Sequence, residues 1–353
     1  MRAVETIAWD DTSGEIILID QTRLPEIFRL VRCRTVDRLV KAIKRLEVRG
    51  APALGIAGAY GVLLATRRIH ERDHAVFIER VRKEAEKIRG ARPTAVNLSL
   101  GADVVIDAIG QAGSVSEARE KAFDAAKALA DADARSCHEL GRHGARLLPD
   151  RCTVLTHCNA GALACREWGT ALGVIRSAVE SGKSVSVLAC ETRPLLQGAR
   201  LTAWELQRDE IPVTVIPDSE AAFLMQQGRV DLVIVGADRI TPDAVFNKVG
   251  TYMHAVCAHH HGVPFYVAAP ASTFDPGHAA EEITIEERDR SEVACWGGIT
   301  TVPEGVEVIN FAFDQTPHDL LTAFITDIGV FPPPPDWSAI QAAQGKILPG
   351  RRG

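Results

Sequence analysis

The chain has 353 residues, 46% apolar and 24% charged, with a formal charge of −6 from 40 basic and 46 acidic side chains. That length passes the roughly 250–300 residues at which one hydrophobic core stops growing, so two domains are expected, and the composition excludes disordered, collagen-like and fibrous classes. The charge forms no basic stripe and no apolar run approaches the ~20 residues of a membrane span, so neither nucleic acid nor a membrane is an expected partner.

The opening MRAVETIAWDDTSGE lacks the apolar region of a secretory signal, which makes the cytoplasm the expected location. Thr6–Trp9 and Glu15–Ile19 alternate as a hairpin does, with Asp10, Asp11, Ser13 and Gly14 at the turn. Helical spacing follows from Val36 to His70 and from His74 to Arg89, with Thr35 and Asp37 as capping residues at the first start. A break at Gly110–Ser116 precedes another helix, from Glu117 to about Leu148. Residues 1–148 therefore read as a smaller N-terminal domain of a short β-sheet and helices, ending at Pro149 and Asp150.

Beyond that point short apolar runs alternate with helical stretches. The runs are Thr153–Thr156, Val185–Ala189, Val213–Ile216, Leu232–Val235, Phe265–Ala268 and Val306–Ile309. The helical stretches are Trp168–Ser181, Gln197–Arg208, Glu220–Gln227 and Lys248–His260. Continuous apolar strands alternating with helices predict an α/β fold, so residues 149–353 read as a doubly wound, Rossmann-like parallel sheet. The proline-rich tail from Phe331 to the final GRRG reads as an extended surface segment.

Ligands of such sheets bind outside the carboxyl ends of the strands, which directs attention to 157–161, 191–194, Asp218-Ser219 and 236–239. The eight cysteines, at 33, 137, 152, 158, 165, 190, 257 and 295, are dispersed, and a disulfide framework is not expected. Cys158, placed between a strand end and an expected helix start and flanked by His157 and Asn159, is the candidate for chemistry. Cys33, Cys152, Cys165 and Cys257 read as small buried hydrophobes. Asp238 follows Leu-Val-Ile-Val-Gly-Ala, so a carboxylate at a buried strand end must be paired with Arg193 or Arg239, solvated or catalytic. No metal site is expected at His254 and His259–His261, because adjacent histidines on a helix point in different directions. No phosphate loop or G-x-G-x-x-G is present, although Arg49-Gly50-Ala51-Pro52 can lead into a helix whose free N–H groups meet an anion.

Together these segments resemble the methylthioribose-1-phosphate isomerase family, which shares its fold with regulatory subunits of translation initiation factor 2B. The resemblance runs from Ile7 to about Val330. It includes Leu18–Thr22, Val48–Gly61, Arg92-Pro93-Thr94-Ala95-Val96-Asn97-Leu98, Leu155–Ala162, ETRPLLQGARLTAWEL at Glu191–Leu206, and Asn247–Tyr252. It implies isomerisation of a 5-substituted ribose 1-phosphate to the ribulose 1-phosphate, without a cofactor or required metal, in a homodimer. Carried over by position, the catalytic pair falls on Cys158 and Asp238. The phosphate contacts fall on Arg49, Gly50, Ala51, Arg92, Gln197, Asn247 and Lys248. The sequence departs from the family pattern at Cys190, Glu167-Trp168, Ser99–Gly101, Thr241–Phe246 and Phe311, so the reaction type is better fixed than the 5-substituent. Alternatives are an isomerase of 5-deoxyribose 1-phosphate or ribose 1,5-bisphosphate, and a non-enzymatic regulatory protein. A dinucleotide-dependent oxidoreductase rests on fold analogy alone.

Overall fold

A computed structural model describes residues 5–93 and 95–347; Thr94 of the matched 92–98 stretch and the final GRRG lie outside them. The described residues fall into two units, one of 5–138 with Gly161–Gly169 and Ile347, and one of Glu139–Ala160 with Thr170–Lys346. The division lies inside a long helix, before the Pro149–Asp150 break, and 161–169 belongs to the N-terminal unit.

The N-terminal unit opens with the antiparallel sheet β1 (Ile7–Asp10), β2 (Glu15–Ile19) and β3 (Leu30–Cys33). Asp10 Oδ1 accepts from Thr12 N and Ser13 N and closes the first turn, as its Asp-Ser-Gly composition predicts. Helices α1 (Val36–Lys44), α2 (Ala51–Arg68), α3 (His74–Arg89), α4 (Val96–Gly110) and α5 (Val115–Ala145) follow. Thr35 caps α1 by accepting from Arg38 N. Every residue of α2 from Ala53 to Thr66 is buried, which makes it the central helix of this unit. It runs beside α4 at backbone contact: a Cβ on Gly58 would lie 2.2 Å from Leu98 O, and one on Gly101 1.8 Å from Gly55 O. The 161–169 segment is held by Thr6 Oγ1 donating to Ala162 O (2.7 Å) and by Gln21 Nε2 donating to Leu163 O (2.8 Å).

The C-terminal unit is built on a seven-stranded sheet. Its strands are β4 (Arg151–Thr156), β5 (Ser184–Cys190), β6 (Val213–Ile216), β7 (Leu232–Val235), β10 (Phe265–Ala268), β14 (Ala323–Thr326) and β15 (Gly329–Phe331). Their order is β15-β14-β10-β7-β4-β5-β6, parallel except for the edge strand β15. From β4 the chain winds outward through β5 and β6, then returns to the other side of β4 as β7 and winds outward through β10 and β14. The switch point therefore lies between β4 and β7. Between strands lie α6 (Ala171–Glu180), α7 (Ala203–Arg208), α8 (Ala221–Gln226) and α9 (Thr251–His261). A small antiparallel sheet, β13-β9-β8, follows the β7 end, with β8 at Arg239–Ile240, β9 at Ala244–Lys248 and β13 at Phe313–Pro317, and the short strands β11 (Cys295–Trp296) and β12 (Ile299–Thr300) pair with each other.

Two sequence expectations are corrected. Val306–Ile309 is not a strand: Val306 and Ile309 are 49% and 74% exposed, and the run is too polar around Glu304 and Glu307 to enter the sheet. The place is taken by β14, Ala323–Thr326, every residue of which is buried. The tail beyond Phe331 is not wholly extended, because Asp336 Oδ1 accepts from Ser338 N and Ala339 N and starts a helix at Trp337–Ile347.

Candidate active site

Parallel pairing of β4 with β7 (Val154↔Leu232, Leu155↔Val233) brings the two strand-end loops side by side. Cys158 stands in the first and Asp238 in the second, on either side of the switch point. The loops touch: a Cβ on Gly236 would lie 2.7 Å from the Ala160 Cβ, so only glycine allows this approach. Asp238 is exposed, and its N–H donates to Phe246 O (2.9 Å) as β8 turns back into β9. Arg239 pairs with Asp275 (3.3 Å), and Arg193 lies over the Trp296 ring at 4.8 Å.

Cys158 is half-buried and adopts a left-handed φ of 64°. The expectation that a helix starts beside it is corrected. The chain makes only the three-residue 3-10 turn Ala162–Ala164, and α6 begins at Ala171. Its backbone is held instead by two threonine hydroxyls. Thr192 Oγ1 accepts from Cys158 N (2.8 Å), and Thr202 Oγ1 donates to Cys158 O (2.7 Å). Beneath the loop, the Asn159 amide donates to Glu205 Oε1 (2.8 Å), and Arg176 pairs with both Glu205 and Asp209.

His157 and His254 form a second buried couple. The His254 Nε2–His157 Nδ1 distance is 3.2 Å, and His157 Nε2 lies 2.9 Å from Val249 O. Burial holds the imidazole of His157 down at about 4 and that of His254 at about 3, so both rings are neutral near pH 7. With His157 Nε2–H donating to the carbonyl, its Nδ1 accepts from His254. The sequence had grouped His254 with His259–His261. The structure separates them, placing His254 in the core and His259 and His260 in solvent. Cys190 joins this couple, the three ligand atoms lying within 4.8 Å of one another; Asp133, Cys137 and Cys165 form a similar group. Burial pushes the Cys190 thiol well up, which disfavours the thiolate a metal ion would take.

The remaining predicted residues of this unit lie on neighbouring elements. Gln197 stands at the start of a π-helical turn, Gly198–Thr202, and its buried Oε1 has no hydrogen-bond partner among the described residues. The Asn247 amide donates to Thr251 Oγ1 (3.0 Å), and Lys248 Nζ donates to Ala312 O (2.7 Å). Both are buried at the end of β9, a strand in place of the helical start expected at Lys248.

In the N-terminal unit, Arg49, Gly50 and Ala51 lead into α2. Gly50 is its N-cap at φ 94°, where a Cβ would lie 2.6 Å from the Ala164 backbone, and it supplies no side-chain cap. The first internal bond is Leu54 N to Gly50 O, so the N–H groups of Ala51 and Ala53 have no partner within the helix. Arg92 stands just before α4, which likewise has no side-chain cap. Contacts of Gly55 with Asn97, and of Gly58 with Leu98 and Ala102, set these two helices running the same way, amino end beside amino end. Two helix starts without a side-chain cap, each preceded by an arginine, thus stand beside one another.

The loops containing Thr192 and Asp218 stand at strand ends that the sequence marks out, although nothing in it gives either residue a role. Thr202, Glu205 and Arg176 were missed, since an ordinary helical pattern gives no signal that their side chains turn towards one loop.

Comparison with known proteins places the chain in a family. Residues 47–333 match the Initiation factor 2 subunit family. A methylthioribose-1-phosphate isomerase from Heliobacterium modesticaldum is 51% identical over 94% of this chain and 96% of its own. A 5-deoxyribose 1-phosphate isomerase from Moorella thermoacetica is 49% identical over 94% of this chain and 95% of its own. The crystal structure of 5-methylthioribose 1-phosphate isomerase from Pyrococcus horikoshii OT3 superimposes with a TM-score of 0.89 at 38% identity, covering 96% of each chain. That of a protein described as translation initiation factor eIF-2B, subunit delta, from A. fulgidus superimposes at 0.86 with 50% identity, covering 98% of this chain and 99% of that one. With its α/β architecture matched over nearly its whole length, the chain belongs to the Initiation factor 2 subunit family and, within it, to the methylthioribose-1-phosphate isomerases.

Proposed function

We propose that the protein is an aldose–ketose isomerase that converts 5-methylthioribose 1-phosphate to 5-methylthioribulose 1-phosphate, with Cys158 and Asp238 as its catalytic pair. The observation that supports the pair is their place on touching loops at either side of the sheet's switch point. Moving a hydrogen from C2 to C1 takes one group that exchanges a proton at carbon and another that serves the ring and hydroxyl oxygens. Cys158 takes the first role. Asp238 assists opening of the furanose and takes the second. The anomeric oxygen carries the phosphate, so ordinary ring opening yields no free aldehyde, and an enediol or a hydride shift reaches the same ketose.

Arg49, Gly50, Ala51, Arg92, Gln197, Asn247 and Lys248 hold the phosphate in this proposal. Within the N-terminal unit the uncapped starts of α2 and α4 and the two arginines support it, and within the C-terminal unit the buried lysine does, because a dianion takes charge-assisted and backbone N–H bonds. The proposal includes a cytoplasmic homodimer acting in methionine salvage. Trp296, Ile299, Ile309 and Phe311 are between 46% and 74% exposed, which supports self-association. A monomer by light scattering would count against it.

The relative from Moorella favours a second substrate, 5-deoxyribose 1-phosphate. Incubating the protein separately with the two sugar phosphates and following ketose formation by NMR distinguishes them. Faster turnover of the thioether supports methionine salvage, and faster turnover of the deoxy sugar supports the second reading. No conversion of either by folded protein overturns both.

A further inference from the structure

Cys158 and Thr192 both adopt left-handed backbone conformations, at φ 64° and 67°. For a β-branched residue such as Thr192 this is an outlier that persists only where the surroundings enforce it. The enforcing group is Asp218, at the end of β6. Its Oδ1 accepts from Thr192 N and its Oδ2 from Arg193 N, both at 2.7 Å, so one carboxylate fixes two consecutive peptides. Leu196 N donates to Thr192 O (2.7 Å) and closes the turn behind.

The fully buried Thr192 side chain is used on both sides. Its hydroxyl donates to Cys190 O (3.0 Å) and accepts from Cys158 N (2.8 Å). Thr202, also fully buried, donates to Cys158 O (2.7 Å). Both backbone polar groups of the cysteine are therefore taken by threonine hydroxyls from beyond the neighbouring strand β5. A residue in the left-handed region aims its side chain along a direction that an ordinary strand end does not offer.

We infer that Thr192, locked by Asp218, and Thr202 form a clamp that aims the Cys158 thiol. They are positioning residues for the pair proposed above, and the inference rests on that reading for its effect on turnover. Asp218 acts through Thr192 and touches no reacting atom in this assignment.

The test compares Thr192→Val, which keeps shape and branching but removes both hydroxyl bonds, with Thr192→Ser, which keeps the hydroxyl. Turnover of the sugar phosphates is measured alongside the pH profile of iodoacetamide alkylation, resolved by peptide mass spectrometry. The exposed Cys295 serves as the internal control. Thr192→Val is expected to lower kcat about a hundredfold, with KM held within about twofold. The alkylation profile of Cys158 moves while that of Cys295 does not, and Thr192→Ser restores both readouts. Equal kcat in the two variants, or an unmoved Cys158 profile in Thr192→Val, overturns the clamp.

If Thr192→Val does not fold, Thr202→Val removes the other hydroxyl and is judged by the same criteria. A wild type that converts neither sugar phosphate, but whose Cys158 profile moves in the valine variant, overturns the isomerase reading and supports the clamp. A wild type that turns over normally, with both variants indifferent, overturns the clamp alone.

Discussion

In the N-terminal unit two central helices are joined by backbone contact through glycines, whereas the Cys158 loop at the carboxyl edge of the C-terminal sheet is held by buried polar side chains. Helices α2 and α4 meet through Gly55, Gly58 and Gly101, with little for a side chain to do but be absent. Around Cys158 the partners are Thr192, Thr202, Asn159 and Glu205, every one of them buried and hydrogen-bonded. An apolar contact tolerates change in proportion to volume, but a buried polar group fails outright when its partner is removed. The first kind of region holds shape, and the second fixes the direction of particular atoms.

Four measurements would break or sharpen that contrast. Cys158→Ser and Asp238→Asn should each lower kcat about a thousandfold or more while leaving Tm close to wild type; near-normal turnover in either removes that residue from the pair. Arg176→Met leaves Glu205 and Asp209 without their buried cation. Urea titration should then show a loss of about 3–5 kcal/mol. If stability is unchanged, the polar edge is no more demanding than the helical unit.

Gly101→Ala forces a Cβ into the space of the Gly55 carbonyl. It should cost about 1–3 kcal/mol by the same titration, with kcat per folded molecule retained. Taken one pH unit at a time, the effect of acid is the smallest. The folded-state values of His157 and His254, about 4 and 3, lie below the unfolded value of 6.5, so the unfolded chain binds more protons and stability falls with pH from about 6.5 downward. Each ring contributes up to about 1.4 kcal/mol per pH unit. Asp314 opposes this below about 6, since burial raises its carboxyl from 3.8 to that value and the folded state there binds the extra proton. The acid limb of a stability profile should therefore be steepest between about pH 5 and 6 and should flatten when His254 is replaced by Leu.

Much of this was legible in the chain. Strands β7 and β10 coincide with apolar runs read from sequence, because a strand covered on both faces shows its burial directly, and the edge strand β6 coincides too although Thr214 and Val215 are exposed. Thr35 and Gly50 also occupy the helix starts expected of them. The failures have physical causes. Strand β3 carries charge on its exposed face, as Arg32 between Val31 and Cys33 shows, and its pairing with β2 is what makes it a strand. Strand β9 reads Ala-Val-Phe-Asn-Lys, and its polar end is buried by pairing with β13, far along the chain. Cys158 and Asp238 could be found because each is a polar residue directly after an apolar strand. The hydroxyls that hold Cys158 could not, since nothing in a threonine's sequence neighbourhood records which backbone it will bond.

The close passage of α2 and α4 also bears on how such a chain changes over generations. Any amino-acid replacement at Gly58 or Gly101 adds a Cβ, and the neighbouring carbonyl already occupies that space. Neutral drift in the helical unit is thereby steered away from this seam and onto the solvent-facing positions of α3 and α5. The amino ends of α2 and α4, with Arg49 and Arg92 before them, are thus kept in place because every substitution at this seam costs stability, independently of selection on the arginines themselves.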